Sequence, residues 1–176
     1  MKDKYHYEFL ANKFRNQFEI QNVGLYLVVV NAHLRPPHVG IIRKQGYFSL
    51  KWNGVDLNIP SLQFIEMINK KNIPTLFFQL KNNQFKNRNP LEIFRCYKDG
   101  IASNQSCLSP IIELLDIDEN LKCSIQNIGE LLKYLYTKEI IIERYYLNLP
   151  SDFKGIPYYP NSLIKSSISQ LKYARK

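Results

Sequence analysis

The sequence predicts an α+β fold, an antiparallel sheet with helices packed against it, and three observations carry that expectation. The run GLYLVVVNA (24–32) is β-branched and apolar on both faces, as in a buried central strand. Next, HVGIIR (38–43) and GYFSLKW (46–52) flank Lys44-Gln45 and read as a hairpin. Helical periodicity falls in segments separate from this strand meander.

Taken in order, residues 5–18 place Phe9, Leu10, Phe14 and Phe18 at roughly helical spacing, which predicts a short amphipathic helix before the central strand. After the hairpin, Ser61 is a good N-cap for a helix over 62–71. Pro74 then introduces a strand, TLFFQL (75–80), and KNNQFKNRNP (81–90) is polar enough for a loop. LEIFRCY (91–97) reads as a returning strand and Asp99-Gly100 as a turn. CLSPIIELL (107–115) reads as a helix, because Pro110 is tolerated in a first turn where its missing N–H loses no bond. Ser124 is expected to cap a helix over 125–138, with Ile125, Ile128, Leu131, Leu132 and Leu135 on one face. The Ile and Tyr content of EIIIERYYLNL (139–149) favours a strand over a continued helix. A Pro- and Tyr-rich loop follows to Pro160, and Asn161 is expected to cap a last helix.

A length of 176 residues suits one domain, 1–176, with a candidate core at 24–117 and a C-terminal extension at 118–176. Apolar residues at 45% and charged residues at 22% belong to a folded chain rather than a disordered one. Lys and Arg exceed Asp and Glu by 24 to 15, a net charge of +9 that attracts phosphate or other anionic surfaces. The longest clean apolar run, Leu25–Val30, is far short of the about 20 residues a membrane-spanning helix needs. The charged N-terminus lacks the apolar stretch of a signal peptide, so a cytoplasmic location is expected. The three cysteines, Cys96, Cys107 and Cys123, form neither a disulfide framework nor a zinc spacing. No Gly-rich phosphate loop or metal-binding motif is present, and no cofactor is expected.

Cys107 holds the most chemistry. A thiolate is a strong nucleophile, but a free thiol is mostly protonated at neutral pH. A helix start favours the thiolate, and a histidine takes the proton and returns it to a leaving group. Cys107 opens a predicted helix, and His38 heads a strand behind Arg35-Pro36-Pro37. His33 precedes those prolines and is a candidate for contact with substrate, as are Tyr47 and Trp52.

His38-Val39-Gly40, the strand Tyr47–Lys51, and Ser106-Cys107-Leu108-Ser109-Pro110 at a helix start occur with the histidine before the cysteine. In this order, over residues 24–117, the chain resembles the circularly permuted papain-like group, which includes lecithin–retinol acyltransferase-like proteins and bacterial amidases and peptidases. The resemblance implies a thiol hydrolase or acyltransferase acting on a peptide, amide or acyl substrate. Cys107 would be the nucleophile and His38 the general base, with a polar residue on the next strand orienting the imidazole. A hairpin turning at Lys44-Gln45 puts Lys51 opposite His38 and Ser49 beside it on the same face. Ser49 is therefore the expected third residue, with Lys51 or Asn53 as alternatives.

Two other functions fit the sequence. The same fold without chemistry would bind a peptide or protein partner, and Lys51 opposite His38 argues for it because lysine cannot accept the imidazole N–H. The charge of +9 with twelve Tyr and ten Phe also suits unspecific nucleic-acid binding through phosphate contact and stacking.

Overall fold

The computed structural model describes residues 5–15, 24–44, 46–51, 53–81, 88–97 and 105–163. Its centre is a six-stranded antiparallel sheet ordered β5-β4-β3-β2-β6-β7. Strand β2 (Leu25–Val30) lies in the middle, with every residue buried. It pairs on one side with β3 (His38–Arg43) and on the other with β6 (Thr75–Leu80). Strand β4 (Gly46–Lys51) pairs with β3 from Arg43 opposite Gly46 to Gly40 opposite Ser49, the register expected from a turn at Lys44-Gln45. Beyond β4 lies β5 (Gly54–Pro60), and β7 (Ile141–Leu147) closes the other edge.

Alternation along each strand sends neighbouring residues to opposite faces. One face is largely aliphatic. Leu25, Leu27 and Val29 of β2 join Val39, Ile41, Phe48, Leu76 and Phe78 there. It is covered by α3 (Ser109–Leu114) and α5 (Ile128–Thr137), which contribute Ile111, Leu131, Leu132 and Leu135. The other face is richer in aromatic residues: Tyr26, Tyr47, Phe77 and Tyr145 pack with Phe64 and Ile68 of α1 (Ser61–Lys70).

Several expectations from the sequence are corrected. Residues 91–97 are not a strand; α2 (Pro90–Arg95) is a helix, with Pro90 in its first turn and the Asn89 side chain accepting the Leu91 N–H at 3.0 Å. Pro90, Ile93 and Phe94 bury one face of it, a helical spacing that outweighs the strand-like composition. The N-terminal helix is replaced by β1 (Tyr5–Glu8) and one 3₁₀ turn at Ala11–Lys13. β1 pairs with β8 (Gly155–Pro157), inside the segment expected to be loop, so long-range pairing overrides local periodicity. Ser61 is the first residue of α1 rather than its cap, and its buried hydroxyl has no hydrogen-bond partner among the described residues. Asn127, not Ser124, caps α5. Its side chain accepts the Glu130 N–H while Glu130 returns a bond to the Asn127 N–H, a reciprocal capping box. A short helix, α4 (Glu119–Lys122), precedes it. The turn at Asp99-Gly100 and the body of the last predicted helix, residues 164–176, lie outside the described residues, as does most of the 81–90 loop.

Candidate active site

β3 carries His38 at its first position, opposite Val30. The register places His38, Gly40, Ser49 and Asp56 on the face covered by α1, since Gly40 opposes Ser49 and Ser49 opposes Asp56. Ser49 is fully buried and donates its hydroxyl proton to Asp56 Oδ2 at 2.7 Å. The other carboxylate oxygen, Oδ1, meets Lys51 Nζ at 2.5 Å. Asp56 thus gathers the two residues expected to orient the histidine. Ser49 has spent its proton on the carboxylate but keeps its lone pairs, and the Lys51 charge is paired.

Asp56 is the acid that sequence reasoning missed. Its signal was the stretch Asn53-Gly54-Val55-Asp56-Leu57, a turn dipeptide followed by alternating residues. A two-residue connection from Lys51 to Gly54 sets Asp56 directly opposite Ser49. Asn53 itself lies exposed in that connection. Trp52, a candidate for the cleft, lies outside the described residues.

His38 is half-buried, and its Nε2 is buried with no hydrogen-bond partner among the described residues. Burial holds its pKa below the ordinary 6.5; the Asp56 carboxylate pulls it back up and the Lys51 ammonium pushes it down. The imidazole is therefore neutral at pH 7, with a nitrogen able to accept a proton.

Cys107 lies in the turn preceding α3, where Ser106 Oγ accepts the Leu108 N–H at 3.3 Å. The half-buried side chain packs against the aliphatic cluster. Burial raises the thiol pKa, and the backbone at Val39 and at Cys107 itself pulls it partly back down. Cys107 thus lies on the aliphatic side of the sheet and His38 on the face that α1 covers, with Val39 following His38 along β3. No hydrogen bond joins them among the described residues.

The remaining candidates fall around this pair. Tyr47, expected at a substrate cleft, is 2% exposed, with its ring stacked on Phe64 at 3.8 Å between centroids. Burial raises its pKa, and the charges of Asp56 and Cys107 act in the same direction. Its ring covers Gly40: a Cβ there would stand 2.6 Å from the Tyr47 hydroxyl. Gly40 is thus required by an aromatic neighbour on β4. His33 is exposed in the loop between β2 and β3. From the C-terminal extension, Tyr159 is near enough for the Cys107 charge to act on its hydroxyl, which also accepts the Ile128 N–H at 3.5 Å. Residues beyond the candidate core therefore help enclose the thiol.

Among the described residues no cluster of His, Cys, Asp and Glu could hold a metal ion, and no helix is long and apolar enough to cross a membrane. No family model, curated protein or solved structure matches the chain.

Proposed function

We propose that the chain is a thiol-dependent hydrolase or acyltransferase of permuted papain-like arrangement, acting on an amide or ester bond through Cys107 and His38. The observation that carries this reading is the His38 imidazole, its Nε2 buried and unpartnered among the described residues, one residue before Val39, whose backbone N–H lowers the Cys107 thiol pKa against burial. That N–H favours the charged sulfur that forms as the thiol gives up its proton.

The resting pair is neutral. In the reaction, the Cys107 sulfur attacks the carbonyl carbon as its proton passes, by way of one water at the end of β3, to His38 Nε2. The tetrahedral oxyanion collapses, the carbon–nitrogen or carbon–oxygen bond breaks, and His38 passes the proton to the leaving group. Water or a second nucleophile then attacks the thioester, giving its proton to His38, and as the carbon–sulfur bond breaks His38 returns that proton to the sulfur. Asp56 stabilises the imidazolium that forms between these steps, a role the Coulombic pull on His38 supports.

Incubation with an activated ester, followed by intact-protein and peptide mass spectrometry, tests the reading. An acyl adduct on Cys107, absent in Cys107→Ser and strongly reduced in His38→Ala, is the expected outcome. Acylation of the exposed Cys96 and Cys123 alone would remove it.

A second reading, a catalytically silent relative that holds a peptide in the same place, is favoured by one observation. Burial pushes the thiol pKa up and the imidazole pKa down, away from a thiolate–imidazolium pair. The absence of any Cys107 adduct, with a peptide ligand still bound, would favour it.

A further inference from the structure

The far end of the same hairpin carries a second, unrelated constellation. A groove of about 430 Å³ opens beside Arg43 and Lys44, where β3 turns into β4, and Arg88 lines it from the segment before α2. Among the described residues no carboxylate lines it. Three cationic side chains border one space, an arrangement that attracts an anion.

These groups are braced. The Arg43 Nη1 donates to the Arg88 carbonyl oxygen. Arg88 donates from Nη1 to the Glu113 carbonyl at 2.8 Å and from Nη2 to Asp116. Asp116 forms an ion pair with Arg88. A guanidinium has five N–H donors in a planar fork, so Arg88 retains donors beyond these two bonds. Lys44 is exposed in the turn and forms no ion pair among the described residues.

The groove also has an amide on its wall. Asn58 has φ +55°, a left-handed conformation, and its side chain lies over Gly46. A Cβ on Gly46 would stand 2.1 Å from Asn58 Oδ1, so only glycine lets the amide rest there. Phe48 and Leu91 supply apolar surface against which a planar group can lie. Fixed cations, an amide and an apolar wall in a space of this size suit a small ligand.

We infer that this groove binds the phosphoryl group of a small phosphorylated ligand of nucleotide size, with Arg43, Lys44 and Arg88 holding the anion. It is separate from the Cys107–His38 pair: His38 and Arg43 are the two ends of β3, about 17 Å apart at ~3.3 Å per residue.

Calorimetric titration with inorganic pyrophosphate, ADP and adenosine, at low and high salt, tests it on the full chain. Pyrophosphate and ADP are expected to bind saturably, more weakly at high salt, with adenosine far weaker. Lys44→Glu changes an exposed turn residue and is expected to weaken ADP binding about tenfold, and Arg43→Gln with Lys44→Glu to abolish it. Circular dichroism of both variants confirms that they remain folded; should the double variant unfold, Lys44→Glu alone decides. Absence of pyrophosphate and ADP binding would overturn the inference, as would ADP affinity unchanged by Lys44→Glu. Binding of a single-stranded oligonucleotide while both small phosphates are ignored would overturn it too.

Discussion

On one face of the central sheet the strands present Leu25, Leu27, Val29, Ile41 and Leu76; on the other, the same strands present Tyr26, Ile42, Tyr47 and Phe77, and then His38, Ser49 and Asp56 near one end. Both faces bury their strands, but with different chemistry. The aliphatic face meets apolar side chains of α3 and α5 such as Ile111, Leu131 and Leu135. The α1 face has hydroxyl groups, and toward the start of β3 it gives way to a hydrogen-bonded carboxylate and a neutral imidazole. Burying polar groups is tolerated when each finds a partner, as Ser49 does in Asp56. His38 Nε2 has none among the described residues. The contrast separates a purely apolar packing face from the face that carries the buried polar groups of the proposed site.

The largest expected effect breaks the aliphatic side. Phe78 is fully buried, with ring centroids 5.5 Å from Tyr7 and 5.9 Å from Phe14. Phe78→Ala is expected to cost about 3–5 kcal/mol in urea unfolding. On the other face, Gly40→Ala drives a methyl into the stacked Tyr47 ring and is expected to cost about 1–3 kcal/mol. A cost near zero there would show that Tyr47 moves freely and that this face is loosely packed.

Smaller effects sharpen the comparison through pH. His38 and His6 are both held below the ordinary 6.5, so the unfolded chain binds protons more readily. Their contribution is complete above that value and is lost as pH falls through it toward the folded pKa values. Urea midpoints are expected to drop on acidification, with a shallower slope in His38→Asn. For Cys107, whose folded pKa lies above the ordinary 9.0, stability is lost as pH rises past that value. The smallest effect concerns Asp56→Asn, which removes the carboxylate that raises the His38 pKa. NMR titration of the imidazole is expected to show that pKa falling further; an unchanged value would remove Asp56 from the proposed mechanism.

Much of the sheet was legible because its strands advertise themselves locally. The β2 run is apolar on both faces, and the Lys44-Gln45 turn fixes the register that sets Ser49 opposite Gly40. Pairing across the chain was not legible: nothing within Tyr5–Glu8 announces Gly155–Pro157 as its partner. α2 was misread because Ile93 and Phe94 suit either structure, and Asn89-Pro90, the capping signal, stood at the end of a presumed loop. In the candidate site, the positions of His38 and Cys107 followed from a strand start and a helix start. Asp56 required one more hairpin to be recognised. The burial that moves both pKa values was not legible, since it depends on packing from α1, α3 and the C-terminal segment at once.

The central claim is that His38 takes the Cys107 proton. The most direct test is the rate of iodoacetamide alkylation at each cysteine against pH, in the native chain and in His38→Ala. Cys107 is expected to react at neutral pH with an acid-side inflection below 6.5, set by the imidazole and lost in the variant, which should react only as pH rises past 9.0. The same Cys107 profile in both proteins, rising only on the alkaline side, would contradict the pairing of thiol and imidazole.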